Sequence, residues 1–325
     1  MRGSSRVRLW TALWIVYLVW GSTYLAIKIA VRTLPPLLTA GTRFLAASAI
    51  LALIAVVARR SLRVAPLEAL SAAALGIALL TLGVGLVHVA ETRIDSGVAA
   101  MIAGSVPLQI VVLRRVTGER VARATALAAC VGLVGLGFVV GPGWSAGGSE
   151  AIGLLIMVAA SVSWSLGSFA ARRLRLPNDA FVASAYEMLG GGAVLVVAAI
   201  AAGELRDLDG SALQPGPLAA WVYLTIMGSV IGFSAYAWLL GNAPISQVVT
   251  HQYVNPLVAV VLGALVLDER PGPATLVGAA LIVGAVVVTA SREGRTAPAP
   301  APALREPTSR PASAAPRETR ADPTG

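Results

Sequence analysis

Two ionisable residues, Arg43 and Glu187, stand inside long apolar stretches. A charge in hydrocarbon is costly unless paired, so each is a functional candidate by default. An arginine there can hold an anionic group such as a carboxylate through charge-assisted, forked hydrogen bonds. A glutamate there can hold an amine or a coupling proton, because desolvation favours the neutral form of a carboxyl. The other reading of the pair is a structural ion bridge between two helices. A second set comprises Gln247, His251, Gln252, Tyr253 and Asn255. Residues 251 and 255 are four apart and share a helix face. Pro256 removes a backbone donor and frees the carbonyl of Gln252. Such a polar, kinked helix suits a cavity lining, or interhelical hydrogen bonding. His251 is also a candidate proton carrier. A third set is Trp20, Ser22, Thr23 and Tyr24, with Trp164. The two tryptophans lie well inside apolar runs, which favours packing or cavity lining over an interfacial belt. The hydroxyls suit substrate contacts, or close packing around Gly21.

Other chemistries are missing. His88 and His251 are the two histidines and Cys130 the single cysteine, so there is no metal-ligand cluster and no disulfide within one chain. No Gly-x-x-x-x-Gly-Lys-Ser/Thr loop is present to cradle a nucleotide. No polar stretch is long enough to hold a cofactor, and acids are scattered where an enzyme would cluster them. The expectation is a chain that is no enzyme and has no cofactor. The net charge of +9 does not point to nucleic acid, because the arginines sit in short clusters between apolar runs.

The elements that must position these residues are membrane helices. Of the 325 residues, 57% are hydrophobic and 13% charged, too little polar surface to coat a globule in water. A span needs roughly 20 apolar residues, and backbone groups in lipid must be satisfied within helices. Ten candidates follow, near 9–31, 37–58, 68–90, 94–113, 122–141, 151–171, 180–202, 217–240, 244–267 and 272–290. The run after Arg8 is too long for a signal-peptide core and lacks a cleavage site. The segment Gly241-Asn242-Ala243-Pro244 divides the eighth span from the ninth. Beyond Ser291 the chain turns to Ala, Pro, Arg, Thr and Glu and is expected to be disordered.

Arginine placement sets orientation. With the N-terminus (1–8) in the cytoplasm, nineteen arginines fall on the inside and four, Arg32, Arg93, Arg206 and Arg270, outside. Both termini are then cytoplasmic. Two halves also overlay. Trp20 falls on Trp164, Lys28 on Arg172 and Arg43 on Glu187 at one offset; Gly83 falls on Gly232, Pro107 on Pro256 and Gly135 on Gly284 at another. The reading is an all-α membrane protein of ten helices. Five-helix repeats cover 9–141 and 151–290, an external linker 142–150, and a disordered tail 291–325. An odd helix count per repeat inverts the second half, which is the geometry of alternating access about a midplane site. Arg43 lies about 10 Å deep from one side and Glu187 at a similar depth from the other, at 1.5 Å per residue. Both are expected to face a central cavity. Lys28 and Arg172, at helix ends, are expected to snorkel to the interface, and Glu91 is a candidate gate.

The motifs Trp20-Gly21-Ser22-Thr23-Tyr24, Pro35-Pro36 with Ala40-Gly41-Thr42-Arg43-Phe44, Val89-Ala90-Glu91, Glu187-Met188-Leu189 and Tyr253-Val254-Asn255-Pro256-Leu257 carry a resemblance. It is to the drug/metabolite transporter superfamily, within it the EamA-domain exporters, and most closely the YedA-like members, over about 9–290. The resemblance implies a multi-pass protein of the cell (inner) membrane that exports amino acids, related small metabolites or drugs. It implies secondary transport, with substrate/proton exchange. His251-Gln252 departs from the family pattern. An uptake carrier on the same fold and a non-transport membrane protein are the alternatives. Partners are a small molecule, the lipid bilayer and protons, with no nucleic acid. The sequence leaves the oligomeric state open between monomer and homodimer.

Overall fold

The computed structural model describes residues 2–296 apart from 209, 211, 212, 244 and 249. Most of the expected disordered tail, 297–325, and Pro244 of the expected break therefore lie outside the described residues. The described chain is helical, without strands. Its helices are α1 (Arg2–Ala30), α2 (Pro36–Val57), α3 (Pro66–Ala90), α4 (Ser96–Val116), α5 (Arg123–Ala146), α6 (Gly148–Ala171), α7 (Ala180–Ala201), α8 (Pro215–Leu239), α9 (His251–Leu267) and α10 (Pro273–Thr296). Among the described residues nine helices are long and apolar enough to cross a membrane, and α9, with 17 residues, is shorter.

Local sequence explains the helix limits. Pro36, Pro66 and Pro215 open α2, α3 and α8, where a missing N–H costs nothing and φ is already helical. Gly118 and Gly203 take positive φ just after α4 and α7, the left-handed conformation that ends a helix. Large side chains such as Val57 and Leu265 lie three-quarters exposed on the outside, a surface suited to lipid.

Three boundaries differ from the sequence reading. Most of the expected linker over 142–150 is helical: α5 runs to Ala146 and α6 starts at Gly148, parted by Gly147. The ninth span is two pieces, a short helix Ile245–Val248 and then α9. At 1.5 Å per residue α9 is about 25 Å long, less than the roughly 30 Å of hydrocarbon. The first residues of the expected tail, to Thr296, continue α10 as helix.

Contacts gather the joints at two ends: at the first, Glu204 meets the start of α2, Glu269 the start of α4 and Lys28 the end of α3, and at the second Arg60 pairs with Asp179 and Arg172 lies near Glu119. The most extensively packed pairs are α5 with α10 and α2 with α7. Glycines permit both. A Cβ on Gly135 would fall 2.8 Å from the carbonyl oxygen of Gly278, and one on Gly192 would fall 3.1 Å from that of Gly41.

Two helices are locally widened into π-helix, α3 over Ile77–Gly85 and α8 over Leu224–Ile231. Such segments leave carbonyls free for other partners and recur at functional sites. Helix starts are also capped from a distance at the first end. Glu204 accepts from the amides of Leu37 and Leu38 (3.2 and 2.8 Å) at the start of α2. Glu269 accepts from the amides of Ser96 and Gly97 (2.9 and 3.0 Å) and the Ser96 hydroxyl (3.0 Å) at the start of α4. Each carboxylate satisfies orphan donors and meets the positive end of a helix dipole.

Candidate functional site

Between the widened segments lies a cavity of about 140 Å³, lined by residues of α1, α2, α3, α4, α6, α8 and α9. On the scale where about 150 Å³ accepts benzene, it holds a small molecule. Its wall is mostly apolar and includes Trp20, Trp164 and Phe233.

Arg43 is the cation of this lining, 4% exposed. Its Nε donates to the Ser229 hydroxyl (2.9 Å), which donates to the Leu224 carbonyl (3.2 Å) inside the π-segment of α8. The widened turn thus presents the oxygen that holds the guanidinium. The guanidinium carbon stands 4.9 Å from the Phe44 ring centroid, and Nη1 is buried without a hydrogen-bond partner. A carboxylate in the cavity would supply the missing acceptor.

The tryptophans flank both π-segments. Trp20 Nε1 donates to the Gly228 carbonyl (3.2 Å). A Cβ on Gly83 would meet the Trp164 ring at 3.0 Å, and one on Gly232 would meet Trp20. Glycine at these positions is a requirement of the indoles. Trp20 also packs edge-on to Phe233 and His251, with centroids 5.3 and 5.4 Å apart, and against Tyr236 at 5.0 Å. His251 is buried; its Nδ1 donates to the Val248 carbonyl (2.7 Å) across the break before α9. Asn255 lines the cavity, and its amide nitrogen, oriented to satisfy its neighbours, donates to the carbonyls of His251 (3.1 Å) and Tyr17 (3.3 Å). Gln252, Thr23 and Tyr24 complete the polar lining; the Thr23 hydroxyl donates to the Trp20 carbonyl (2.6 Å).

Other sequence candidates lie elsewhere. Glu187 is half-buried on α7, which gives the cavity none of its lining among the described residues. Its backbone abuts Gly76 of α3, and it makes no ion pair with Arg43. Ser22 faces a lateral apolar groove, where its hydroxyl pairs with that of Tyr223 (2.6 Å). Tyr253 packs partly buried against the apolar core. Gln247 is exposed, and its carbonyl accepts from Thr250. Lys28 does not snorkel. It donates to the carbonyls of Glu91 (2.8 Å) and Ile94 (2.7 Å), pinning the end of α3. Arg172 is exposed and lies 3.7 Å from Glu119, which also accepts from Arg114 Nε (2.8 Å). That hydrogen bond holds the Glu119 carboxyl below its usual range. Glu91, wholly buried, sits one turn beyond the cavity-lining Val87.

Sequence reasoning missed Ser229 and Gly228, and a buried bridge between α4 and α6. In that bridge Gln109 donates to Ser105 (2.9 Å) and Ser161 (3.0 Å) and accepts from Ser165 (2.9 Å). A glutamine six residues inside an apolar run was the available signal.

The family model for EamA-like transporters matches residues 9–141 and again 151–291. The chain belongs to the EamA-like transporter family. This transporter is 36% identical over 290 residues to the uncharacterized inner membrane transporter YedA of Escherichia coli (strain K12), covering 89% of this chain and 92% of that one. A chloroplastic WAT1-related protein of Arabidopsis thaliana is 24% identical over 88% of this chain and 70% of its own length. The uncharacterized transporter YvbV of Bacillus subtilis (strain 168) is 23% identical over 85% of this chain and 90% of its own length. A crystal structure 24% identical in sequence superposes with a TM-score of 0.61, covering 91% of this chain and all of the other; it shares the fold.

Proposed function

We propose that this chain is a secondary carrier that exports a small carboxylate-bearing metabolite, such as an apolar amino acid, across the inner membrane in exchange for protons. The observation that carries this reading is Arg43: a buried guanidinium with an unpartnered N–H group, on a residue that lines a small cavity with aromatic walls. Leaving such a donor unmatched costs free energy that a carboxylate guest returns. The indole faces of Trp20 and Trp164 suit an apolar body. The backbone carbonyl of Gln252, freed by Pro256, suits an amine.

Alternating access through two inverted five-helix halves, within a ten-helix chain with both termini cytoplasmic, is the mechanism we infer. Several pairings support it. The π-segments fall at matching places in α3 and α8. Trp20 against Gly232 and Trp164 against Gly83 are counterparts under the sequence repeat. The α2–α7 and α5–α10 pairs each join a helix to its own counterpart, as a two-fold axis requires. Half rocking on half would expose the cavity at one end and then the other.

The test is leucine counterflow in liposomes holding the purified full-length chain. Exchange of radiolabelled leucine, competed by other apolar monocarboxylates and lost in Arg43→Ala, is the expected result. Transport of organic cations that is indifferent to Arg43 would overturn the reading.

A further inference from the structure

Among the described residues, four side chains hold fully buried polar atoms with no hydrogen-bond partner: Arg43, His88, Glu91 and Thr289. The first three are neighbours in the fold or in sequence. Arg43 is in the cavity, and its charge is within electrostatic reach of His88 on α3. Glu91 is three residues after His88, so the two share a helix face. In Glu91 both carboxyl oxygens are orphaned. His88 donates from Nδ1 to the Val84 carbonyl (2.8 Å), so its neutral ring presents an unoccupied acceptor at Nε2. A lone buried polar atom is common; three on residues this closely associated call for a function.

We propose that Glu91 is the proton-binding site of this protein, with His88 as the acceptor that joins it to the cavity. In the present arrangement its carboxyl is sealed from water. An ionised carboxylate there would carry a large desolvation cost. Burial raises this carboxyl well above the usual range and the Glu269 charge reinforces that, while the Lys28 charge and the Lys28 backbone oppose it. The nearest cation is engaged elsewhere: Lys28 holds the carbonyls of Glu91 and Ile94. Besides Lys28 and Glu269, Tyr24 of α1 is within electrostatic reach of Glu91, and it does not donate to the carboxyl. When the first end parts, Lys28 leaves the carbonyls, water reaches the carboxyl and one proton departs to leave a Glu91–Lys28 ion pair. Closing that end requires the proton back. No other bond is made or broken, and the cavity's occupant is coupled because it sits one turn below, beside Val87 and Tyr24.

The closed-end protonation needs no substrate; only the coupling rests on the carrier reading above. Infrared difference spectra of the full-length protein in lipid nanodiscs, taken between mildly acidic and alkaline buffer, should show a protonated-carboxyl band. We expect the band to be lost in Glu91→Gln, shifted in Glu91→Asp and kept in Glu187→Gln. Its survival in Glu91→Gln, or its absence from the unmodified protein, overturns the proposal. With leucine as the transported probe, Glu91→Gln should retain exchange but lose its acceleration by an imposed pH gradient, and His88→Leu should slow that acceleration without removing the band. Undiminished gradient-driven transport in Glu91→Gln also overturns it. Should leucine not be moved by any variant, the carrier reading of the cavity fails, and the infrared result decides Glu91 alone.

Discussion

Arg43 combines two opposing demands. Its guanidinium is buried, held at Nε by one neutral hydroxyl, and without an acid partner. Replacing buried ionic groups by apolar ones is often neutral or stabilising by about 1–4 kcal/mol. Arg43→Leu should therefore raise the melting temperature in detergent while abolishing leucine binding. A lower melting temperature with binding intact would make Arg43 a strut. Ser22 provides the contrast at the same scale. It faces a lateral groove and hydrogen-bonds Tyr223, so Ser22→Ala should leave leucine exchange within about twofold of normal, as a neutral surface-type substitution does. The sequence made Arg43 conspicuous, because a charge in an apolar run has few other uses. It could not make Ser229 conspicuous, because a serine among apolar residues reads equally as helix packing. Glu187 shows the complementary limit. Counting residues fixes depth along a helix, but not the rotation that decides which neighbour a side chain meets.

Elements are joined by close backbone approach. A Cβ on Gly76 would overlap the backbone of Glu187, and one on Gly191 would stand 2.6 Å from the Gly76 carbonyl oxygen. Gly76→Ala should destabilise the α3–α7 contact by about 1–3 kcal/mol through overpacking. Thermal unfolding in detergent checks this, with Gly137→Ala, which meets nothing within 4 Å, expected to be neutral or slightly stabilising. Glu269 is the other kind of joint. Glu269→Gln removes the charge from three hydrogen bonds at the start of α4. In a Cys130→Ala background, a cysteine placed at buried Ala100 should then react with a water-soluble maleimide roughly tenfold faster, the effect of about 1.4 kcal/mol. An unchanged labelling rate would mean that Glu269 does not fasten the first end. Helix existence was legible here, since Pro and apolar run length mark each start. The π-segments were not, because hydropathy cannot separate a widened turn from a regular one. Nor was the break before α9 placed. The sequence marks Gly241–Pro244, where helix stops at Asn242 and resumes at Ile245, but it gives no sign of the second break before His251.

For the whole molecule, composition and run length were enough for an apolar helical bundle, and the arginine clusters gave consistent ends to it. What brings α1, α2, α8 and α9 around one space was not written in any single run. It comes from glycines and indoles that fit one another between helices, and those matches carry meaning only once the helices are side by side.

The joint between α5 and α6 has a consequence for how many times the chain changes sides. Residues 123–171 are helical on both sides of Gly147, and Gly147 and Gly148 both take positive φ, 71° and 62°. As one unbroken rod they would reach about 73 Å, more than twice the hydrocarbon thickness. Two residues without a side chain turn that rod into a hairpin. They thereby set the parity of crossings for everything downstream. If alanine at both positions let the rod form, α7 to α10 would have to enter the bilayer the other way up, and an affinity tag after Thr296 would report on the opposite side of the membrane. Under the proposed ten-span topology, the sidedness of α7 to α10 would rest on two residues that carry no side chain.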